Sequence, residues 1–157
     1  RRPGRAGSRL VSLEADALPL GPGTKMIRIC LPGLACTGQK ARYLTVEARR
    51  RLTRYSLGLP GDGVVLHDVR LDRPPIGGSN ECFFNDESGW AVTIDTTPGD
   101  WRAAPNCDAG GRKKPAYALY NAQLTPGRSW RDAARGITVE VVAATATGYS
   151  VRVTRAK

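Results

Sequence analysis

Short runs of alternating apolar and polar residues, separated by turn-forming residues, dominate this chain of 157 residues. The clearest run is residues 137–142 (ITVEVV), and the alternation returns in residues 149–154 (YSVRVT) after Thr147 and Gly148. Alternation with a period of two places one set of side chains on one face of a β-strand. The two runs therefore predict an antiparallel hairpin whose connection is the six residues 143–148.

Further segments carry strand-like patterns earlier in the chain. Residues 25–30 (KMIRIC) alternate weakly, residues 64–69 (VVLHDV) are mostly apolar, and residues 90–94 (WAVTI) form a short run. A mostly apolar strand is typical of burial on both faces, which we expect for residues 64–69. An earlier apolar run begins at Leu10.

Residues 43–54 fit two secondary structures. As a helix they would carry a basic face formed by Arg49, Arg50, Arg51 and Arg54. As a strand they would place three apolar side chains on one face, namely Leu44, Val46 and Ala48. Periodicity alone leaves both structures open, and the β-branched pair at positions 45 and 46 favours a strand at the start.

Most of the remaining chain is predicted to be loop. Residues 72–89 and 95–115 are rich in glycine, proline, asparagine and aspartate. Residues 129–132 (SWRD) resemble a helix-capping box with Asp in place of Glu, which predicts one helical turn.

The predicted elements are thus seven or eight short strands and at most one short helix, which predicts an all-β fold. We expect an antiparallel β-sandwich-like domain with long loops. Residues 1–9 are expected to form a flexible lead-in, and residues 10–157 a single β-rich domain.

Charge is uneven along this basic protein, whose formal net charge is +10. Residues 1–54 hold 12 Lys and Arg against 3 Asp and Glu, whereas residues 55–157 hold 12 against 11. A basic half suggests an acidic partner, but arginine that serves only solvation explains the excess more simply. We expect no specific nucleic-acid binding, and no run of 18 apolar residues is present to span a membrane.

The four cysteines are Cys30, Cys36, Cys82 and Cys107, which allow three pairings. We favour the local pairing, Cys30 with Cys36 and Cys82 with Cys107. Disulfides imply an oxidising compartment. Zinc is the alternative, but structural zinc sites ordinarily use closer cysteine pairs or additional histidines.

Catalytic chemistry has few candidates, because His67 is the only histidine in the chain. It is a candidate base or metal ligand, yet no G-x-S-x-G, H-x-x-x-H or Cys-His motif accompanies it. We therefore interpret His67 as a strand residue packed in or near the core. An enzyme with an unrecognised site around His67 stays open.

Two loop features suggest binding rather than catalysis. Glu81, Asp86 and Asp95 offer the hard oxygen ligands that calcium prefers, although the D-x-D-x-D-G order of a calcium loop is missing. Trp90 and Trp101, with Trp130 and the tyrosines, could form a surface that stacks on sugars, whereas core packing is the commoner fate of a strand tryptophan. These residues therefore suggest a calcium ion or a glycan as a ligand.

Three consecutive motifs resemble a known arrangement. Residues 43–49 (YLTVEAR), 59–63 (LPGDG) and 64–69 (VVLHDV) are similar to the YLVEYR segment, the turn and the GVLVHRVD strand of secreted zinc metallopeptidases of the immune-inhibitor-A and gametolysin-like group. They resemble its C-terminal β-rich region. Weaker similarities continue on both sides, in residues 11–18, 25–29, 122–130, 136–141 and 149–154.

The resemblance implies a non-catalytic β domain of a secreted metallopeptidase-like protein, which packs on an upstream catalytic domain or engages substrate. The family's H-E-x-x-H zinc motif is absent here, so the chain is not expected to cleave peptides alone. Glu47 and His67 match motif positions that carry no catalytic role to transfer. The alternative is a self-standing secreted module that binds carbohydrate or a cell surface.

Overall fold

The computed structural model describes residues 6–53, 61–72, 91–94, 96 and 122–156, and every structural statement below refers to these. They contain eight β-strands and no helix. The strands are β1 Gly7–Glu14, β2 Met26–Cys30, β3 Arg42–Arg49, β4 Gly63–Arg70, β5 Ala91–Thr93, β6 Ser129–Asp132, β7 Ile137–Ala144 and β8 Gly148–Arg155.

The strands form two four-stranded sheets. The first sheet has the order β1-β8-β7-β6, and the second has the order β2-β3-β4-β5. Every pairing between neighbouring strands is antiparallel. The architecture confirms the all-β, sandwich-like fold, and it makes β1 and β2 edge strands of different sheets.

Side chains from both sheets meet in one hydrophobic core. The first sheet contributes fully buried residues such as Leu13, Val139 and Val151, and the second contributes Val46 and Leu66. Alternation produces this arrangement, because every second residue of a strand faces the same side. The core therefore requires both sheets, and neither buries its apolar face alone.

The predicted hairpin is present, but its connection is shorter than expected. Strand β7 runs to Ala144 and β8 begins at Gly148, so three residues connect them instead of six. A register shift between Val141 and Ala143 keeps the last residues of β7 paired with β8. Such a bulge inserts an extra residue without ending the ladder, which the alternation of the sequence does not reveal.

The strand alternative for residues 43–49 is confirmed, and the helix alternative is wrong there. Strand β3 pairs with β2 on one side and with β4 on the other. Leu44, Val46 and Ala48 point to the core and are buried, as the strand interpretation required. Pairing along both edges satisfies the backbone of β3, so tertiary contacts override the helical spacing.

The helical turn expected at residues 129–132 is wrong, because Ser129–Asp132 forms strand β6. Its residues pair with β7, and Trp130 lies opposite Val139 and packs against the core. Asp132 does cap a turn, since its Oδ1 accepts the backbone N–H of Arg135 at 3.0 Å. This bond belongs to the turn after the strand and is not the cap by Ser129 that the pattern predicted.

The start of β1 and the burial of β4 differ from expectation. Strand β1 begins at Gly7, within the segment expected to be a flexible lead-in. In β4, Val64, Leu66 and Val69 are buried, whereas Val65 and His67 are only half-buried.

Within the described part of the chain, no helix has the length and apolarity needed to cross a membrane.

Candidate functional site

The only histidine lies on the face of the second sheet that points away from the core. His67 pairs with Thr45 across β3 and β4, and Glu47 lies one diagonal step away. The Oγ1 of Thr45 is 3.2 Å from Nδ1 of His67, and Oε1 of Glu47 is 3.8 Å from the same nitrogen. Cross-strand pairing thus assembles a small polar cluster of three residues, the His67 cluster.

The surroundings of the His67 cluster keep its imidazole neutral. Burial lowers the pKa of His67 below its usual value of 6.5, because desolvation disfavours the charged form. The carboxylate of Glu47 opposes this shift and the guanidinium of Arg49 adds to it. Glu47 is itself engaged by Arg49, whose Nη2 donates to Oε2 at 2.7 Å, which weakens its attraction for an imidazolium.

The geometry of the His67 cluster does not match a nucleophile relay. In a catalytic triad the acid binds one ring nitrogen of histidine and the nucleophile binds the other. Here the hydroxyl of Thr45 and the carboxylate of Glu47 both face Nδ1. Thr45 is also only 5% exposed, so its hydroxyl is out of a substrate's reach.

The cysteine pairing is confirmed where it is described. Cys30 and Cys36 form a disulfide that closes the loop after β2. Their sulfurs are therefore not available to zinc. No group of three or more His, Cys, Asp or Glu side chains among residues 6–53, 61–72, 91–94, 96 and 122–156 is placed to hold a metal ion.

Several predicted site residues lie outside the described residues and stay predictions. They are the calcium candidates Glu81, Asp86 and Asp95, the second cysteine pair Cys82 and Cys107, and the binding candidates Trp90 and Trp101.

The described arginines divide into two groups. Most described arginines lie within 3.9 Å of a carboxylate: Arg42, Arg49, Arg50, Arg51, Arg70, Arg135 and Arg152. Asp62, for example, lies between Arg50 and Arg51. Much of the positive charge is thus balanced locally, as expected for a solvated surface.

A cleft between the two edge strands gathers arginines of the other group. It has a volume of about 520 Å³ and lies between β1 and β2. Arg9, Arg28 and Arg155 line it, together with apolar side chains of Val11, Ile27 and Val153. We call it the arginine cleft.

Sequence reasoning did not single out these arginines, although a signal was present. Arg9 continues the core-facing row of Val11 and Leu13, and Arg155 continues the row of Val151 and Val153. A charged residue that continues a buried row indicates the open end of a core. Only the pairing of β1 with β8 shows that the two rows end together.

Comparisons with models of protein families, with curated proteins and with solved structures find no match to this chain. Function must therefore be argued from the sites themselves.

Proposed function

We propose that this chain is a non-catalytic β-sandwich domain of a secreted, metallopeptidase-like protein, which packs on the catalytic part of that protein or engages its substrate. The proposal rests on the sequence motifs of residues 43–49 and 64–69, together with the sandwich in which these residues form β3 and β4. Its role is to bind another surface, while peptide cleavage is performed elsewhere.

The observation that carries the non-catalytic role is the arrangement of the His67 cluster. The single histidine of the chain offers one nitrogen to both of its polar neighbours. A general base must reach the proton it removes, within about 3 Å. The hydroxyl that faces His67 belongs to Thr45, which is only 5% exposed, so a substrate cannot reach it.

The secreted location rests on the Cys30–Cys36 bridge. Disulfides persist in oxidising compartments and are rare in reducing ones. The bridge joins the last residue of β2 to the loop that follows it, and such a crosslink adds stability, which suits an extracellular environment.

The test is a peptidase assay on the purified chain, with a broad-specificity protein substrate, in the presence of zinc and in the presence of a chelator. We expect no cleavage in either condition. Cleavage that persists with the chelator and disappears in His67→Ala would overturn the proposal and identify an enzyme. As a control, thermal unfolding of His67→Ala must show that the variant is still folded, so that a loss of cleavage is not caused by unfolding.

A further inference from the structure

The arginine cleft differs from the rest of the surface in having no acidic side chain among its described lining residues. Among the described residues neither Arg9 nor Arg28 has an ion-pair partner, and the guanidinium of Arg28 lies over the ring of Tyr43, at 4.3 Å. Arg155 donates to the carbonyl of Cys30 and not to a carboxylate. Arg9 and Arg155 therefore line the cleft without a carboxylate partner among the described residues, while the guanidinium of Arg28 lies over Tyr43.

The cleft also exposes strand edges. Strands β1 and β2 each have a hydrogen-bonded neighbour on one side only. They contribute the consecutive residues 6–9 and 27–30 to the lining, so the backbone itself faces the cleft. One backbone hydrogen bond links β1 to the segment just before β2 among the described residues. The N–H of Glu14 donates to the carbonyl of Thr24 at 2.8 Å, at the end of β1 away from Arg9.

The direction of the free backbone groups follows from that bond. Successive N–H groups of a strand point alternately to its two sides. Because the N–H of Glu14 points to the edge, the N–H groups of Ser12, Leu10 and Ser8 point the same way. Among the described residues, the N–H groups of Leu10 and Ser8 have no backbone partner on that side, so they can pair with another extended chain beside the cleft.

We infer that the arginine cleft binds an extended, acidic peptide segment of a partner protein, which adds a strand to the free edge of β1. Its backbone pairs with β1, and its alternate acidic side chains lie on the face that carries Arg9 and Arg155, while the side chains between them point to the other face. Strand addition supplies affinity through backbone bonds and specificity through alternate side chains. Arginine is suited to this role because its planar guanidinium binds a carboxylate through two parallel bonds.

The inference deepens the proposed function, on which it rests, by naming the class of partner. A volume of about 520 Å³ is within the range of ligand sites in proteins. The binding test below is separate from the peptidase assay. A failure of one leaves the other result standing, so the two proposals can be judged apart.

The experiment uses fluorescence anisotropy with a labelled peptide of alternating glutamate and valine, eight residues long to match β1. The variant is Arg9→Glu/Arg155→Glu. The matched control is Arg128→Glu/Arg131→Glu, which makes the same charge change at exposed arginines near β6, the opposite edge of the first sheet. We expect binding to weaken about tenfold or more in the variant and to change by less than about twofold in the control.

Four results would overturn the inference. Equal weakening in both double variants would mean that the peptide responds to net charge alone. Equal binding of a lysine-valine peptide would mean that the arginines do not select acidic ligands. Absence of peptide binding would mean that the arginines only protect the strand edges from pairing. Binding of a sulfated oligosaccharide in place of the peptide would make the cleft a glycan site.

A second measurement tests the extended geometry. Amide hydrogen exchange should slow at Ser8 and Leu10 when the glutamate-valine peptide binds, because their N–H groups acquire carbonyl partners. The N–H groups of Arg9 and Val11 point to β8, so their protection should change less. Binding without slowed exchange at Ser8 and Leu10 would contradict strand addition.

Discussion

At the residue scale, His67 shows how a strand position decides the chemistry of a side chain. Thr45 supplies a hydrogen-bond partner for one ring nitrogen, while burial keeps the imidazole neutral. A neutral, hydrogen-bonded histidine that is 17% exposed is typical of a structural role. The expectation that His67 is a packed strand residue fits this arrangement.

The lowered pKa of His67 predicts a pH-dependent stability. Between its folded and unfolded pKa values the unfolded chain binds more protons, so protonation favours unfolding. The contribution is fully present above the unfolded value of 6.5 and is lost as the pH falls through the folded value. Urea unfolding should therefore show stability that declines as the pH is lowered below about 6.5.

His67→Gln is the matched variant for this pH series. Glutamine keeps a polar group near Thr45 but does not titrate, so the decline between about pH 7 and pH 5.5 should be smaller than in the parent chain. Carboxylates contribute to both proteins alike. Parallel curves for the two proteins over this interval would show that His67 is not the titrating group.

At the element scale, Gly148 determines how closely β1 approaches β8 within the first sheet. The sequence marks Gly148 as a turn residue after Thr147, but its backbone does not require a positive φ. An added Cβ would instead lie 2.0 Å from the carbonyl oxygen of Leu13. The glycine is needed because the backbone of β1 passes directly over it.

Gly148→Ala should therefore destabilise the domain by about 3 kcal/mol, because the clash is with backbone and cannot be relieved by rotating a side chain. Chemical denaturation measures the effect. Gly21→Ala is the control, since no atom lies within 4 Å of its added Cβ, and it should change stability by less than about 0.5 kcal/mol. Similar values for the two variants would mean that β1 moves aside at little cost.

Secondary structure was predictable where alternation was strong and ambiguous where tertiary pairing decided. The alternation of β7 and β8 identified both strands and their hairpin. For β3 the helical and strand patterns overlapped, and its pairing with two neighbours selected the strand. The capping pattern in β6 misled because Asp132 bonds forward to Arg135 whichever structure precedes it.

At the scale of the whole molecule, Arg50 joins the two sheets. It follows the last residue of β3, and its Nη1 donates to the carbonyls of Thr145 and Ala146 at 2.8 and 3.0 Å. Those carbonyls belong to the turn between β7 and β8 in the other sheet. The bond therefore ties the turn of the first sheet to the end of a central strand in the second.

Arg50→Met should lower stability by about 1.5 kcal/mol, since it removes charged hydrogen bonds from a side chain that is 23% exposed. Amide exchange at Thr145 and Gly148 should accelerate, because the turn loses its anchor on the other sheet. Both quantities are measurable on the same protein, by urea unfolding and by NMR-detected exchange.

The comparison for Arg50 is Arg152→Met, which removes an ion pair with Glu140 whose side chains are 41% and 37% exposed. Pairs this exposed contribute little, so the loss should stay below about 0.5 kcal/mol. An effect of Arg50→Met no larger than that of Arg152→Met would show that the Arg50 contact does not join the sheets energetically.

The sequence by itself determined the class of fold, most strand positions and the local disulfide. These depend on side-chain alternation, turn residues and short loops, which are properties of neighbouring residues. Only the tertiary structure decided that β1 and β2 end as facing edges, so that Arg9, Arg28 and Arg155 share one cleft. These residues are far apart in the chain, and the pairing of distant strands brings them together.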